Sequence, residues 1–155
     1  MAQEMLDTAS KVSREATALV REYIEIQNSV FKFSIMKALG LKRSDPAAAS
    51  EKASGVLAKL TALLDEVRAL KLDAADPLGS YCITLRAYLR TLCEAVEGFI
   101  ALCGKMQTAR EEKNSKYWKY DYKGDLDAYQ LKETDYMKIG LDLNEKWAKF
   151  RNAQK

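Results

Sequence analysis

The sequence predicts an all-α fold: one domain over residues 1–155, folded as an antiparallel four-helix bundle with long helices and an aromatic-rich connector before the last helix. Four segments place apolar residues at three- and four-residue steps, the period of a helix that buries one stripe. Seven glycines and two prolines are too few to punctuate many short strands. With 48% hydrophobic and 30% charged residues, the composition is that of a globular protein.

The first helix is expected over residues 2–39. Its apolar stripe runs without a break from Met5 to Phe33. A second apolar row beside the stripe indicates a helix that touches two neighbours. Gly40 is expected to end the helix, because glycine is favoured just past a helix C-terminus.

The second and third helices share one starting signal. Asp45 and Pro46 predict a helix over 46–71, with aspartate as the N-cap and proline at the first helical position, where its missing N–H costs nothing. The dipeptide Asp76-Pro77 predicts the same arrangement for a helix over 77–114, whose apolar stripe is the most regular in the chain. The short connections between these helices favour antiparallel neighbours.

The fourth helix, expected over residues 124–152, has a weaker stripe because Glu133 and Gly140 fall on it. It follows a connector of about nine residues, 115–123, in which aromatic and basic residues alternate. One interpretation of that alternation is a short extended strand-like connector whose rings cover one end of the core.

The composition argues against an enzyme. The chain contains no histidine. This excludes Ser-His-Asp and Cys-His catalysis, His-bearing zinc sites and the Glu-x-x-His motif of di-iron bundles. Neither of the glycine-rich phosphate-binding patterns occurs. We therefore expect no catalytic residues, no metal and no cofactor.

The three cysteines, Cys82, Cys93 and Cys103, form no CxxC pair, and an odd number suits a reducing compartment. All three are expected to be small buried hydrophobes, and Cys82 and Cys103 fall on the apolar stripe. Cys93 lies one position off the stripe and is the one thiol worth testing for reactivity.

Two arginines, Arg86 and Arg90, share one helical face and form a candidate contact for an anion or small ligand. The alternative is a solvated face with an exposed ion pair between Arg90 and Glu94 four residues later. A pocket between helices could also use these arginines together with Tyr23 or Tyr136.

One segment differs from the rest of the chain in its basic and aromatic content. We call residues 105–123 the aromatic–basic segment; it contains six basic and three acidic residues, and so carries a net charge of +3, equal to that of the whole chain. Tyrosine and tryptophan dominate binding hot spots, and lysines beside rings also suit single-stranded nucleic acid. The candidate partner-binding residues are Arg110, Lys116, Tyr117, Trp118, Lys119, Tyr120, Tyr122 and Lys123.

The resulting hypothesis is a non-enzymatic protein-interaction or structural module (an adaptor, assembly subunit or inhibitor) that uses this segment to engage another protein. The first alternative is a nucleic-acid binder that uses the same segment. The second is a small-ligand sensor or carrier with a pocket between helices. Coiled-coil-like stripes also leave a homo-oligomer as an option.

The location expected from the sequence is the cytoplasm. The first residues carry neither the basic nor the apolar region of a secretory signal. The most apolar stretch, 78–106, contains four arginine and glutamate residues that a membrane span would not tolerate unpaired. We expect a soluble chain without a membrane partner.

Overall fold

The computed structural model describes residues 2–31 and 45–154, and in these ranges it is all-α. Four helices pack against each other as a bundle with antiparallel sequential neighbours, as predicted, and no strand occurs in the described ranges. A π-helical turn leads directly into the last helix. The elements are α1 (Ala2–Phe31), α2 (Pro46–Arg68), α3 (Pro77–Glu111), the π-helical turn (Tyr117–Asp121) and α4 (Tyr122–Ala153).

The start of α2 is confirmed in detail. Asp45 is its N-cap, and the Asp45 carboxylate accepts a hydrogen bond of 3.0 Å from the backbone N–H of Ala48. Pro46 occupies the first helical position and is buried. The side-chain acceptor satisfies one of the N–H groups that a helix start leaves without an intrahelical partner.

The start of α3 does not repeat the side-chain cap that the sequence predicts. Asp76 occupies the N-cap position, but its side chain makes no capping hydrogen bond. The preceding loop folds back over the first turn of the helix instead. The backbone carbonyl of Asp73 lies so close to Gly79 that a Cβ there would sit 2.1 Å from the carbonyl oxygen. Glycine is therefore required at this close approach.

Two helix ends fall earlier than expected. The α2 helix ends at Arg68 rather than at 71, and α3 ends at Glu111 rather than at 114. Residues 32–39, where the rest of the first predicted helix falls, and its predicted terminator Gly40 lie outside the described residues.

The core is centred on α3, which packs extensively against both α2 and α4. All three cysteines are buried, including Cys93, as expected of small buried hydrophobes. Burial raises the pKa of Cys82 to about 11 and that of Cys103 to about 12, and it raises the pKa of Cys93 as well. Raised thiol pKa values suppress the reactive thiolate form.

The contact between α1 and α4 is made mainly by side chains. The α1 helix packs closely against α2 and less against α3, whereas the backbones of α1 and α4 rarely approach each other. Long side chains bridge this space. We call the space between α1 and α4, floored by α3, the seam. Within the described ranges, no helix has both the length and the apolarity to cross a lipid bilayer.

Candidate functional site: the tip groove and the seam

The connector between α3 and α4 is helical for most of its length, which corrects the interpretation of an extended segment. Only Glu112, Lys113 and Asn114 interrupt the helices. The Asn114 N–H donates to the Ala109 carbonyl (2.8 Å), and the Lys113 N–H donates to the Arg110 carbonyl (3.3 Å). These two bonds, with Lys113 at φ 53°, form a Schellman motif.

Helical structure resumes at once because Asn114 caps it: its side-chain oxygen accepts a 3.2 Å hydrogen bond from the Tyr117 N–H. This turn could not be recognised from the sequence, because glycine usually fills the position that Lys113 occupies here. The π-helical turn then begins, and the Tyr122 N–H donates to the Tyr117 carbonyl five residues earlier. Turns of this kind occur frequently at functional sites.

The four rings of the connector divide into two pairs. The inner pair is Tyr117, which is buried, and Tyr122, which is half-buried. The outer pair is Trp118 and Tyr120, whose exposed fractions are 38% and 67%. Trp118 packs on both inner rings, at centroid distances of 5.3 and 5.1 Å, whereas Tyr120 carries the ammonium group of Lys119 5.4 Å from its ring centre.

Beside these rings lies a groove of about 790 Å³ between the end of α3 and the start of α4, which we call the tip groove. Of the predicted partner-binding residues, only Tyr117 and Tyr120 line it. Its charged residues are Lys105, Glu112, Asp121 and Asp125, so carboxylates predominate. Lys105 is already paired with Asp125 at 3.3 Å.

The other predicted partner-binding residues do not line the tip groove. Lys116, Lys119, Lys123 and Arg110 are exposed, but none lines the tip groove. The binding role predicted for these residues stays a prediction.

The hydroxyl of Tyr117 is buried and has no hydrogen-bond partner in the described part of the chain. Burial, followed by the charge of Asp125 and a side-chain interaction with it, raises the pKa of this phenol to about 12. The ring of Tyr117 packs against Trp118 and Tyr122, and its hydroxyl lies near Asp125.

Arg86 and Arg90 lie elsewhere. Both are exposed and line a shallow depression of about 460 Å³ between α2 and α3, together with Arg68. Arg68 is within 3.8 Å of Asp65, but the expected ion pair between Arg90 and Glu94 does not form. The structure therefore separates the two arginines from Tyr23 and Tyr136, which face the seam side of the bundle.

The seam was not found from the sequence. Two grooves run along it, one of about 470 Å³ and one of about 670 Å³, and both are lined by Tyr136 and Met137. Glu133 is the only charged side chain among the described residues that line either groove. Apolar side chains remain exposed along it: Ile24 (42%), Met137 (55%) and Leu141 (68%).

At the floor of the larger groove, a buried polar cluster joins α1 to α4. Tyr23 is fully buried and donates from its hydroxyl to Glu133 Oε1 at 2.5 Å. The Tyr23 oxygen lies 2.5 Å from the Tyr129 hydroxyl and 3.3 Å from the Ala95 carbonyl. The amide of Gln27 donates to the Tyr129 hydroxyl and, at 2.9 Å, to Glu133 Oε1.

The protons of this cluster can be assigned by counting donors. The two amide protons of Gln27 go to Tyr129 and Glu133, the Tyr129 proton goes to Tyr23, and the Tyr23 proton goes to Glu133. The carboxylate of Glu133 is the final acceptor. Burial raises the pKa of both Tyr23 and Tyr129, and the charge of Glu133 also raises it, so both phenols keep the protons that this assignment needs.

Comparison with known proteins adds no family. No protein-family model, curated protein or solved structure matches this chain. The function must therefore be argued from these two surfaces.

Proposed function

We propose that this chain is a non-enzymatic interaction module that engages another protein through the tip groove and the outer ring pair, Trp118 and Tyr120. The observation that supports it is the division of the rings. The inner pair, Tyr117 and Tyr122, holds the turn, whereas the outer pair leaves large apolar area in solvent. Exposed aromatic area beside a groove is typical of binding hot spots.

The charges lining the groove favour a protein over a nucleic acid. Glu112, Asp121 and Asp125 outnumber Lys105, and a phosphate backbone in the groove would meet this negative field. A partner with a basic or amide-rich surface meets no such repulsion. The exposed Lys116, Lys119 and Lys123 would lie at the rim of the contact, where charges affect association rate more than affinity.

Affinity capture from extract of the native cells, with the purified chain immobilised, tests this proposal. The double variant Trp118→Ala/Tyr120→Ala removes the outer pair, and Leu131→Ala is the matched control. Leu131 is as exposed as Tyr120, at 68%, but lies on α4 outside the tip groove. We expect wild type and Leu131→Ala to retain the same protein and the double variant to lose it.

Raising the salt concentration separates the two kinds of partner. An aromatic-centred protein contact should survive a change from 0.05 to 0.2 M salt, whereas a contact with six to ten phosphates loses about 10³–10⁵-fold in affinity over that range. Retention of the same proteins by the double variant would contradict the tip groove as the site. Loss of all captured material in salt, with nucleic acid in the eluate, would favour the nucleic-acid alternative.

A further inference from the structure

Glu133 is a buried carboxylate without a cation. Its side chain is 8% exposed, and no lysine or arginine among the described residues lies within ion-pair distance of it. Its hydrogen bonds come from neutral donors, Tyr23 and Gln27, and both go to Oε1. Removing a charge from water costs several kcal/mol unless an opposite charge compensates it.

Glu133 lines the larger groove of the seam. Besides Tyr23 and Gln27, the hydroxyl of Tyr136 also interacts with its carboxylate. The walls of this groove include Ile24, Phe31 and Met137, and the rings of Tyr129 and Tyr136 lie beside the carboxylate. A cation placed there would gain an ion pair and ring faces together.

The shape of the seam indicates a rod-like occupant. On the α1 side its lining residues span Ser13 to Phe31, about 27 Å at a rise of 1.5 Å per residue. None of the α1 residues that line it is charged, although charged residues make up 30% of the chain. The backbones of α1 and α4 rarely approach each other, and the outer edges of their contact leave Ile24, Met137 and Leu141 exposed.

We propose that the seam binds an amphipathic helix of a partner protein that carries one arginine or lysine within its apolar stripe, and that this cation pairs with Glu133. The apolar stripe covers Ile24, Met137 and Leu141, in the manner of helix-in-groove recognition. The basic residue fixes the register of the helix, because Glu133 is the only charged side chain among the described residues that line the seam. This surface is separate from the tip groove.

The test is a display selection. A library of amphipathic helical peptides, about 18 residues long to match the seam, is selected on the wild-type chain. Each of the apolar-stripe positions is allowed to be apolar, polar or basic. We expect enriched peptides to carry arginine or lysine at one fixed stripe position. Replacing that residue by glutamine should weaken binding about tenfold or more.

Matched variants test whether Glu133 is the residue that the basic side chain contacts. Glu133→Gln should lose the preference for a basic residue and weaken binding by a similar factor, whereas Glu97→Gln, an exposed glutamate on α3, should change nothing. Met137→Glu should abolish binding, because it puts a charge at the apolar rim. Trp118→Ala/Tyr120→Ala should bind normally. Circular dichroism confirms that each variant folds.

Several results would overturn the proposal. Enriched peptides without a basic stripe residue, or equal binding by Glu133→Gln, would show that the carboxylate is purely structural. Binding that survives Met137→Glu would place the peptide elsewhere, and a selection without enrichment would show that the seam takes no helix. A dimer of the free chain that Met137→Glu dissociates would assign the seam to a second copy.

Discussion

The tip groove and the seam are built from the same residue types and differ in how their tyrosines are used. At the tip, the buried Tyr117 hydroxyl has no hydrogen-bond partner among the described residues, and its ring packs against Trp118 and Tyr122. In the seam, the buried Tyr23 hydroxyl is part of a network that ends on Glu133. A tyrosine can therefore act as a plain ring in one place and as a hydrogen-bond donor in another, and only the structure distinguishes the two.

Alkaline pH should produce the largest loss of stability, and three buried tyrosines on the seam side of the bundle contribute to it. Burial raises the pKa of Tyr23, Tyr129 and Tyr136 above the ordinary value of about 10. Below pH 10 these phenols are protonated in both states. Above it they ionise only in the unfolded chain, so stability falls by about 1.4 kcal/mol per pH unit for each, or about 4 for the three.

Urea unfolding at pH 8, 10 and 11 measures this loss. The variant Tyr23→Phe removes one of these groups, so its unfolding free energy should fall less steeply with pH, by about 1.4 kcal/mol per pH unit. A stability that is flat between pH 10 and 11 would show that these phenols are not protected in the folded state.

At neutral pH the same variant tests the polar cluster. Tyr23→Phe removes the donor to Glu133, and hydrogen bonds to charged groups are worth about 1.5–3 kcal/mol. We expect the free energy of unfolding to fall by that amount. Tyr88→Phe is the matched control in the seam, since Tyr88 is half-buried and its hydroxyl makes no hydrogen bond to the described residues; it should change stability by less than about 0.5 kcal/mol.

At the tip the corresponding change should have the opposite sign. Tyr117→Phe deletes a buried hydroxyl without a partner, so the free energy of unfolding should rise by about 1 kcal/mol. Thermal unfolding followed by circular dichroism measures it. A fall as large as that of Tyr23→Phe would mean that the Tyr117 hydroxyl is bonded, with Asp125 as the acceptor to examine first.

The smallest expected effect concerns the turn that shapes the tip groove. Lys113 adopts a positive φ of 53°, where a side chain is strained and glycine is not. Lys113→Gly should raise the unfolding free energy by about 0.5–1 kcal/mol. Lys116→Gly is the control, because Lys116 is α-helical, and it should lower stability by about 1 kcal/mol. Equal effects of the two changes would contradict the Schellman geometry.

Apolar periodicity predicted the four helices correctly because each buries one dominant stripe. Asp45 and Pro46 predicted the start of α2 because capping is a local interaction. The sequence could not show that Lys113 replaces glycine at the turn, so the connector was wrongly interpreted as extended. Glu133 was noticed only as a weakness of the last stripe.

The seam was missed for a different reason. Periodicity identifies which face of a helix is buried, but not which pair of helices packs closely. The sequence does carry a signal for the seam, in the residues beside the apolar stripes. These residues form uncharged edges: Ser13, Thr17 and Ile24 on α1, and Met137 and Leu141 on α4. A polar residue such as Glu133 on the stripe between such edges indicates a buried network.

The most direct test of the account compares the two ring pairs at the tip. Melting temperatures are measured for the inner variant, Tyr117→Ala/Tyr122→Ala, and the outer variant, Trp118→Ala/Tyr120→Ala. Truncation of a buried aromatic ring costs about 3–5 kcal/mol, and about 2–4 °C accompanies each kcal/mol in a chain of this size. We expect the inner variant to melt at least about 6 °C lower and the outer variant to fall clearly less. An equal fall in both would show that all four rings are core, and the tip would then offer no free contact surface.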